Sequence, residues 1–155
     1  LAIDIFQYTG VRRSDAILLG KPMERHNILH FTEQKNIRNT PKERIVPILP
    51  ELRLSIDATH TGPFTYLVTQ FERPFTRAGF GNWFKKRCRE AGLENCSAHG
   101  LRKAAAVKAA MKGASSKQLM AIFGWDSIKM AEHYTKAAET QKLAMDSMHY
   151  LGKKN

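Results

Sequence analysis

The sequence predicts a mainly helical α+β domain in which a small antiparallel β-sheet packs against a bundle of helices. Three observations predict this class. Apolar residues recur at helical spacing from about Thr76 to the C-terminus. Two short segments before Pro50 are rich in β-branched and aromatic residues. The length of 155 residues, of which 43% are hydrophobic and 25% charged, suits one domain with a buried core.

The chain opens with LAIDIFQY, whose apolar residues keep helical spacing until the Thr9-Gly10 pair. This helix has no capping residue before it, so we expect the chain to be a fragment whose preceding segment has been removed. The next segment, RRSDAILLG at residues 12–20, predicts a second helix. We expect Ser14 to cap it and Gly20 to end it.

Strand signals follow in the segments NILHFTEQ, residues 27–34, and ERIVPIL, residues 43–49. The intervening residues 35–42 are rich in Asn, Pro and Lys, which predicts a hairpin loop. Pro50 then begins PELRLSIDA, a short helix with proline in its first turn. FTYLV at residues 64–68 predicts a third strand.

Helices are predicted for the rest of the chain. The first covers residues 76–92, in which Phe80, Trp83, Phe84 and Arg87 follow the i, i+3, i+4, i+7 spacing of a helix and Gly92 is its end. The second covers residues 99–113, and its apolar stripe is expected to contain Gly100, Ala104, Val107 and Met111.

The third of these helices has Ser115 or Ser116 as its cap and Gly124 as its end. The last covers residues 127–151, with a break expected near residues 137–139. Cys88 lies on a predicted helix face and is expected to be a small buried residue. With Cys96 it makes two cysteines without a CxxC spacing, which favours reduced thiols in a cytosolic protein.

The charge balance points to an anionic partner. Lys and Arg number 25 against 14 Asp and Glu, a formal net charge of +11. Such an excess on a small domain favours a polyanion, of which nucleic acid is the commonest; the alternative is a merely basic surface. No apolar run approaches the roughly 20 residues of a membrane helix, and the N-terminus lacks the layout of a signal peptide.

Cationic and hydrogen-bond-donating side chains stand out at six positions: Arg12, Arg13, Lys35, His99, Arg102 and Trp125. The sequence lacks HExxH, zinc-ligand spacing, a Gly-rich phosphate loop, a GxSxG elbow and a catalytic carboxylate pair. These side chains can donate hydrogen bonds to a phosphate, and the sequence has no motif for a metal ion that would bind it instead. Such donors suit a phosphate whose negative charge increases in a transition state. An arginine can fork onto two phosphate oxygens, and losing one such donor typically costs about 3 kcal/mol.

A tyrosine hydroxyl could attack such a phosphate. A phenol has a pKa of ~10, so neighbouring cations would favour the reactive phenolate. Each candidate also has an ordinary structural reading. Tyr134 could be a half-buried helix residue, His99 a helix cap, and Trp125 a core residue.

Five segments carry a specific resemblance: YTGVRRSD, TEQKN…RIVPILPEL, AHGLRKAAA, FGWDS and AEHYTKAA. Their order and spacing resemble the catalytic domain of the tyrosine recombinase (phage integrase) family over essentially the whole chain. The resemblance implies that residues 1–155 are that domain, with its mainly helical α+β fold. It also implies a fragment that lacks an N-terminal DNA-clamping domain.

The resemblance assigns roles to individual residues. Arg12 is similar to the first catalytic arginine, and Asp15 to the acid that supports the site. His99 and Arg102 match the HxxR pair, and Tyr134 matches the nucleophile.

Two further positions depart from the usual pattern. Lys35 resembles the hairpin lysine that protonates the departing 5′ oxygen, but the loop is longer than usual and Lys42 could reach the same place. Trp125 occupies a position more often filled by His. Its indole N–H can donate to a phosphate oxygen but cannot relay a proton.

The implied activity is cleavage and rejoining of double-stranded DNA through a 3′-phosphotyrosyl intermediate, without ATP, metal or other cofactor. Implied too are a tetrameric synapse of identical chains on DNA, a monomer for the isolated fragment, and a cytoplasmic protein of bacterial or phage origin. The C-terminal residues Ala144, Met148 and Leu151 would dock on a neighbouring protomer or on their own domain. Two alternatives are a catalytically inactive basic DNA-binding module and a type IB topoisomerase-like enzyme that relaxes DNA.

Overall fold

The computed structural model describes residues 1–35 and 37–152, and the chain divides into two compact units at the Ala105–Ala106 bond. The first unit holds four helices and a sheet: α1 (Ala2–Thr9), α2 (Arg13–Ala16), β1 (Glu24–Arg25), β2 (Ile28–Thr32), β3 (Glu43–Pro47), α3 (Pro50–Asp57) and α4 (Arg77–Glu90). The helix α5 (Ala98–Met111) contains the boundary. The second unit continues with α6 (Ser116–Phe123), α7 (Ile128–Ser147) and a 3₁₀ turn at Met148–Leu151. The predicted mainly helical α+β class is confirmed.

The sheet is antiparallel with the order β1-β2-β3 among the described residues. The first two predicted strands form β2 and β3, and Leu29 lies opposite Val46 in their ladder. Strand β1 was not predicted, because the turn that joins it to β2 contains no glycine. His26 and Asn27 make that turn with positive φ angles of 50° and 63°.

The core of the first unit joins α1, α3 and α4. Phe6 of α1 is fully buried, and its ring centroid lies 6.0 Å from that of Phe80 and 6.1 Å from that of Phe84 on α4. Leu52 and Ile56, one turn apart on α3, are buried in the same core. Burying side chains of this size contributes about 2 kcal/mol each.

Helix α2 is shorter than predicted. It ends at Ala16, its N-cap residue is Arg12 rather than Ser14, and Gly20 lies beyond it in extended backbone. Tertiary contacts override the helical pattern here, because the Leu19 carbonyl accepts a hydrogen bond from the Tyr66 N–H at 2.7 Å.

The predicted strand at residues 64–68 is wrong. Within this described segment, Val68 makes one isolated bridge to Pro74, outside the sheet. Tyr66 and Leu67 are both buried although they are adjacent, so the apolar run reflects packing rather than the alternation of a strand.

Helix α4 begins at a Thr76 cap, whose hydroxyl accepts from the Gly79 N–H at 3.0 Å. Its buried face carries Phe80, Phe84 and Cys88, which confirms the expected burial of Cys88.

The predicted apolar stripe of α5 is also wrong. Val107 is 45% and Met111 54% exposed. The buried face instead contains Ala98, Arg102, Ala105, Ala106 and Ala110. The prediction chose a different face of the helix because the buried face contains Arg102. A charged residue is normally expected to face solvent.

The second unit follows its local signals closely. Ser115 caps α6 in a reciprocal capping box with Gln118, and Gly124 ends the helix with a φ of 62°. Helix α7 is continuous, so the predicted break near residues 137–139 is wrong. Alanine and glutamate at these positions are strong helix formers.

The C-terminal end of the described chain presents apolar side chains to solvent. Met148 is 61% and Leu151 81% exposed, and Ala144 is exposed as well. None of the helices in residues 1–35 and 37–152 has the length and apolar character that crossing a bilayer requires.

We expect Gly20→Ala to lower the free energy of unfolding by at least about 2 kcal/mol. A Cβ at this position would overlap the Phe64 carbonyl and lie 2.8 Å from the Thr65 Cα, so the backbone would have to move. Gly100→Ala is the matched control, since its Cβ would meet only the Ser97 hydroxyl at 3.5 Å. Urea denaturation of the two variants measures the difference, and equal stability would contradict the prediction.

Candidate functional site

Arg12 sits where α1 turns into α2. Gly10 ends α1 in the left-handed conformation, with a φ of 60°, and Arg12 then adopts extended backbone as the N-cap residue of α2. Its Nη1 donates to Oε2 of Glu33, which follows β2. The Arg12 side chain is 23% exposed and that of Glu33 is 3% exposed, so the arginine reaches solvent while the acid does not.

Arg102 lies on the buried face of α5 and reaches the corner between α1 and α2, where Gly10 and Arg12 lie. Its side chain is buried, and its Nη1 donates to the Gly10 carbonyl oxygen. The two arginines therefore converge although they are far apart in the sequence. Arg102 is buried and hydrogen-bonded to the main chain, and Arg12 is partly exposed to solvent.

A third arginine completes what we call the arginine–carboxylate cluster, which consists of Arg12, Asp15, Glu33, Arg44 and Arg102. Arg44 is a buried residue of β3, and its Nη1 donates to Oε1 of Glu33 at 2.6 Å. Burial and the positive charges of Arg12 and Arg44 lower the pKa of Arg102 to about 10, while Glu33 and Asp15 oppose this shift. Arg102 remains a cation at neutral pH.

Asp15 joins α2 to the β2–β3 hairpin. It is buried, and its Oδ1 accepts a hydrogen bond from the Gln34 N–H at 2.8 Å. Burial raises the pKa of Asp15, and Glu33 acts in the same direction. The Gln34 hydrogen bond and the charges of Arg12 and Arg102 partly offset that rise.

The two candidate lysines flank the hairpin loop. Lys35 is exposed in the turn directly after Gln34. Lys42 is half-buried at the other end of the loop, where its carbonyl accepts from the Glu33 N–H at 2.9 Å. Both lysines thus lie close in sequence to residues of the cluster, and the choice between them stays open.

Arg13 and His99 do not contribute a hydrogen bond to the cluster among the contacts of the described residues. The Arg13 guanidinium lies over α4, where a Cβ at Gly81 would come within 2.6 Å of its Nη1. His99 is exposed at the start of α5, about one turn before Arg102. Ser97 caps this end of α5 by accepting from the Gly100 N–H at 3.1 Å.

Trp125 and Tyr134 meet in the second unit. Their rings are stacked with centroids 5.2 Å apart and an interplanar angle of 14°. On its other side Trp125 stacks on Phe123, at 5.0 Å and 21°. Tyr134 is half-buried on α7, and the next residue, Thr135, contacts the Ser116 hydroxyl of α6 at 3.0 Å. The stack therefore holds the tyrosine ring against the end of α6.

The structure thus forms two groups from the predicted residues: Arg12, Asp15 and Arg102 in the first unit, and Trp125 with Tyr134 in the second. Glu33 and Arg44 were not predicted. The available signal was Arg44, because it shares the buried phase of β3 with Val46, where a charge requires a buried partner. Nothing in the local sequence singles out Glu33 as that partner.

The arginine–carboxylate cluster can bind an anion. A guanidinium presents several N–H donors in a fork that matches two phosphate oxygens. The partly exposed Arg12 can offer such donors to a group in solvent. In the described part of the chain, no group of three His, Cys, Asp or Glu side chains is arranged to hold a metal ion.

The sequence matches the model of the phage integrase family over residues 1–141. A search of curated proteins found no significant match.

Solved structures resemble this chain in fold. XerA recombinase aligns with a TM-score of 0.73 and 19% identity, over 94% of this chain and 55% of XerA. The catalytic domain of bacteriophage HP1 integrase aligns with a TM-score of 0.66 and 22% identity, over 99% of this chain and 84% of that domain. A lambda integrase dimer bound to a COC′ core site aligns with a TM-score of 0.71 and 19% identity, over 86% of this chain and 50% of that one. The chain thus spans about half of the XerA chain and half of the lambda integrase chain in these structures.

We expect the free energy of unfolding of Asp15→Asn to increase relative to that of the unchanged protein as the pH rises from 3 to 7. A folded-state pKa above the unfolded value means that Asp15 favours folding most when it is protonated. This contribution is complete below the unfolded pKa of about 3.9 and is lost as the pH rises through the folded pKa. Asparagine does not titrate but can still accept from Gln34.

Urea denaturation at several pH values measures this difference in the free energy of unfolding. Asp146→Asn, at an exposed position on α7, is the matched control and should show no comparable trend. A constant difference between Asp15→Asn and the unchanged protein would contradict the prediction.

Proposed function

Because the chain belongs to the phage integrase family, we propose that it is the catalytic domain of a site-specific DNA recombinase. The observation that carries the proposal is the convergence of Arg12 and Arg102 at the Gly10 corner, with Arg12 partly open to solvent. Among proteins of similar fold, the Tn1549 transposon integrase is in complex with transposon DNA, and XerH is in a post-cleavage complex with its difH substrate.

The proposed ligand of the arginine pair is the scissile phosphate of double-stranded DNA. Arg12 and Arg102 would neutralise its non-bridging oxygens, and His99 and Trp125 would add N–H donors. Charge on these oxygens increases as phosphorus is attacked, so donors fixed before the reaction stabilise the transition state more than the ground state. The loss of one fixed donor typically costs about 3 kcal/mol of that stabilisation.

Tyr134 is the proposed nucleophile. Its phenol would lose its proton to solvent, and the phenolate oxygen would form a bond to phosphorus while the bond from phosphorus to the 5′ oxygen breaks, leaving a 3′-phosphotyrosyl link. Lys35 or Lys42 would give a proton to the departing 5′ oxygen, which becomes a hydroxyl. One phosphate ester replaces another, so the step needs no ATP, and attack by a 5′-hydroxyl of a partner duplex reverses it.

The overall charge supports DNA as the partner. A net charge of +11 gives long-range attraction to a polyanion, and each phosphate neutralised by Lys or Arg steepens the log–log salt dependence of binding by about 0.9. Exchange between two duplexes requires four cleavages, so the proposed assembly on DNA is a tetramer of identical chains.

We expect the chain to form a covalent adduct with a suicide DNA substrate that loses its 5′-hydroxyl fragment after cleavage, and Tyr134→Phe to abolish it. The phenylalanine ring can keep the stack on Trp125 but has no nucleophilic oxygen. Denaturing electrophoresis with and without protease identifies the adduct. Tyr150→Phe is the matched control, because Tyr150 is 80% exposed and should be dispensable.

Other outcomes of this experiment identify other functions. DNA retardation without an adduct would indicate an inactive DNA-binding module. An adduct with relaxation of supercoiled DNA but no strand exchange would indicate a type IB topoisomerase-like enzyme. An adduct that survives in Tyr134→Phe would exclude Tyr134 as the nucleophile.

A sulfur-substituted substrate can identify the lysine that acts as the acid. When sulfur replaces the bridging 5′ oxygen, the leaving group is a thiolate, whose conjugate acid has a pKa of about 8.5 and needs no proton donor. We expect alanine at the acting lysine to slow adduct formation about 10²- to 10⁴-fold with the ordinary ester and little with the sulfur ester.

Lys35→Ala and Lys42→Ala serve as matched controls for each other in rapid-quench measurements on both esters. Rescue confined to one variant assigns the role to that lysine. Equal slowing of both esters in both variants would show that neither lysine protonates the leaving group.

A further inference from the structure

We infer that Glu33 is a positioning residue that fixes the Arg12 guanidinium for phosphate binding by bridging it to Arg44. Its consequence for catalysis rests on the proposed recombinase function. Its structural basis is independent of that function, because the contacts of Glu33 with Arg12 and Arg44 are present in the structure whatever reaction the chain performs.

The two oxygens of the Glu33 carboxylate serve different partners. Oε2 accepts from Arg12 Nη1, and Oε1 accepts from Arg44 Nη1 at 2.6 Å. Glu33 and Arg44 are almost fully buried, with 3% and 5% of their side chains exposed. A buried carboxylate held by one arginine offers the other a fixed acceptor, so it can hold Arg12 in a single orientation.

The sheet determines where this acceptor lies. Arg44 is opposite Phe31 in the β2–β3 ladder, and the Glu33 N–H donates to the Lys42 carbonyl at 2.9 Å. The backbone of Glu33 is therefore held by an extension of the same ladder. Arg12, whose side chain is 23% exposed, receives its orientation from a rigid element rather than from solvent.

The charge of Glu33 has a second effect. Arg12 and Arg44 each act on Arg102 as like charges, and Glu33 acts on it as an opposite charge. The carboxylate thus lets three guanidiniums occupy one corner of the molecule. Glutamine at this position has only one acceptor oxygen and would supply no compensating charge.

The first test measures the motion of Arg12 without any reaction. Nitrogen-edited NMR follows rotation about the Cζ–Nη bonds of Arg12, and Arg12→Lys assigns the signals. We expect this rotation to be hindered in the unchanged chain. We expect Glu33→Gln to speed this rotation at least about tenfold, as a charge-assisted hydrogen bond is lost. Unchanged rotation would overturn the inference.

Loss of the acid leaves Arg44 buried without the Glu33 carboxylate, which can prevent the Glu33→Gln chain from folding. The double variant Glu33→Gln/Arg44→Met removes both buried charges and keeps Arg12 intact. Glu43→Gln, at an exposed position on β3, is the matched control and should leave Arg12 rotation unchanged. Hindered Arg12 rotation in the folded double variant would also overturn the inference.

The second test measures adduct formation at saturating DNA. We expect loss of the acid to lower the cleavage rate about 10- to 100-fold, as expected for a misplaced catalytic group. In an Arg12→Lys background, loss of the Glu33 carboxylate should lower the cleavage rate by less than a further factor of about two. A residue that acts only through Arg12 has little left to affect once Arg12 is replaced. Additive losses would show a general structural role and overturn the inference.

The two tests separate the two proposals. If the unchanged chain forms no Tyr134-dependent adduct, the proposed function fails, and Arg12 rotation alone decides whether Glu33 positions it. If the adduct forms but loss of Glu33 neither speeds Arg12 rotation nor acts through Arg12 in cleavage, the recombinase function stands and the positioning role is rejected.

Discussion

Arg102 carries a positive charge into the interior of the first unit, where its Nη1 donates to the Gly10 carbonyl. A buried charge is tolerated only when it has hydrogen-bond acceptors and opposite charges nearby. The end of α1 supplies the acceptor, and Asp15 and Glu33 supply the negative charge. This requirement determines which face of α5 turns inward and where the α1–α2 corner lies.

The small sheet has a specific part in this arrangement. The Gln34 N–H, just after β2, binds Asp15 of α2, and the Gln34 side chain accepts from Arg77 of α4 at 3.1 Å. The adjacent Glu33 holds Arg12. The β2–β3 hairpin therefore contacts both Arg12 and Asp15 near the α1–α2 corner. It also carries Lys35 and Lys42. The proposed phosphate-binding and proton-donating groups thus depend on one structural element.

Local chemistry made much of the fold predictable. The capping box at Ser115, the proline at the start of α3 and the alternating strands all act over a few residues, and a linear pattern can reveal them. The resemblance to a family predicted Arg12, Arg102 and Tyr134 as site residues, and the structure brings Arg12 and Arg102 together.

The remaining features depend on contacts between distant segments. The buried face of α5 includes a charge, so hydropathy could not identify it. Tyr66 and Leu67 belong to the buried core of the first unit without pairing as a strand. Glu33 is buried because Arg44 lies beside it, whereas an isolated glutamate at a strand end is usually solvated, so its own sequence neighbourhood predicts nothing unusual.

The acceptor that Arg102 uses is a peptide oxygen, and every amino acid at that position would provide one. Mutation of a side chain cannot delete it. What must persist is the bend at Gly10, whose φ of 60° favours glycine. The hydrogen bond to Arg102 therefore depends on the course of the backbone at residues 9–11, and the side chains there affect it only through the bend that they allow.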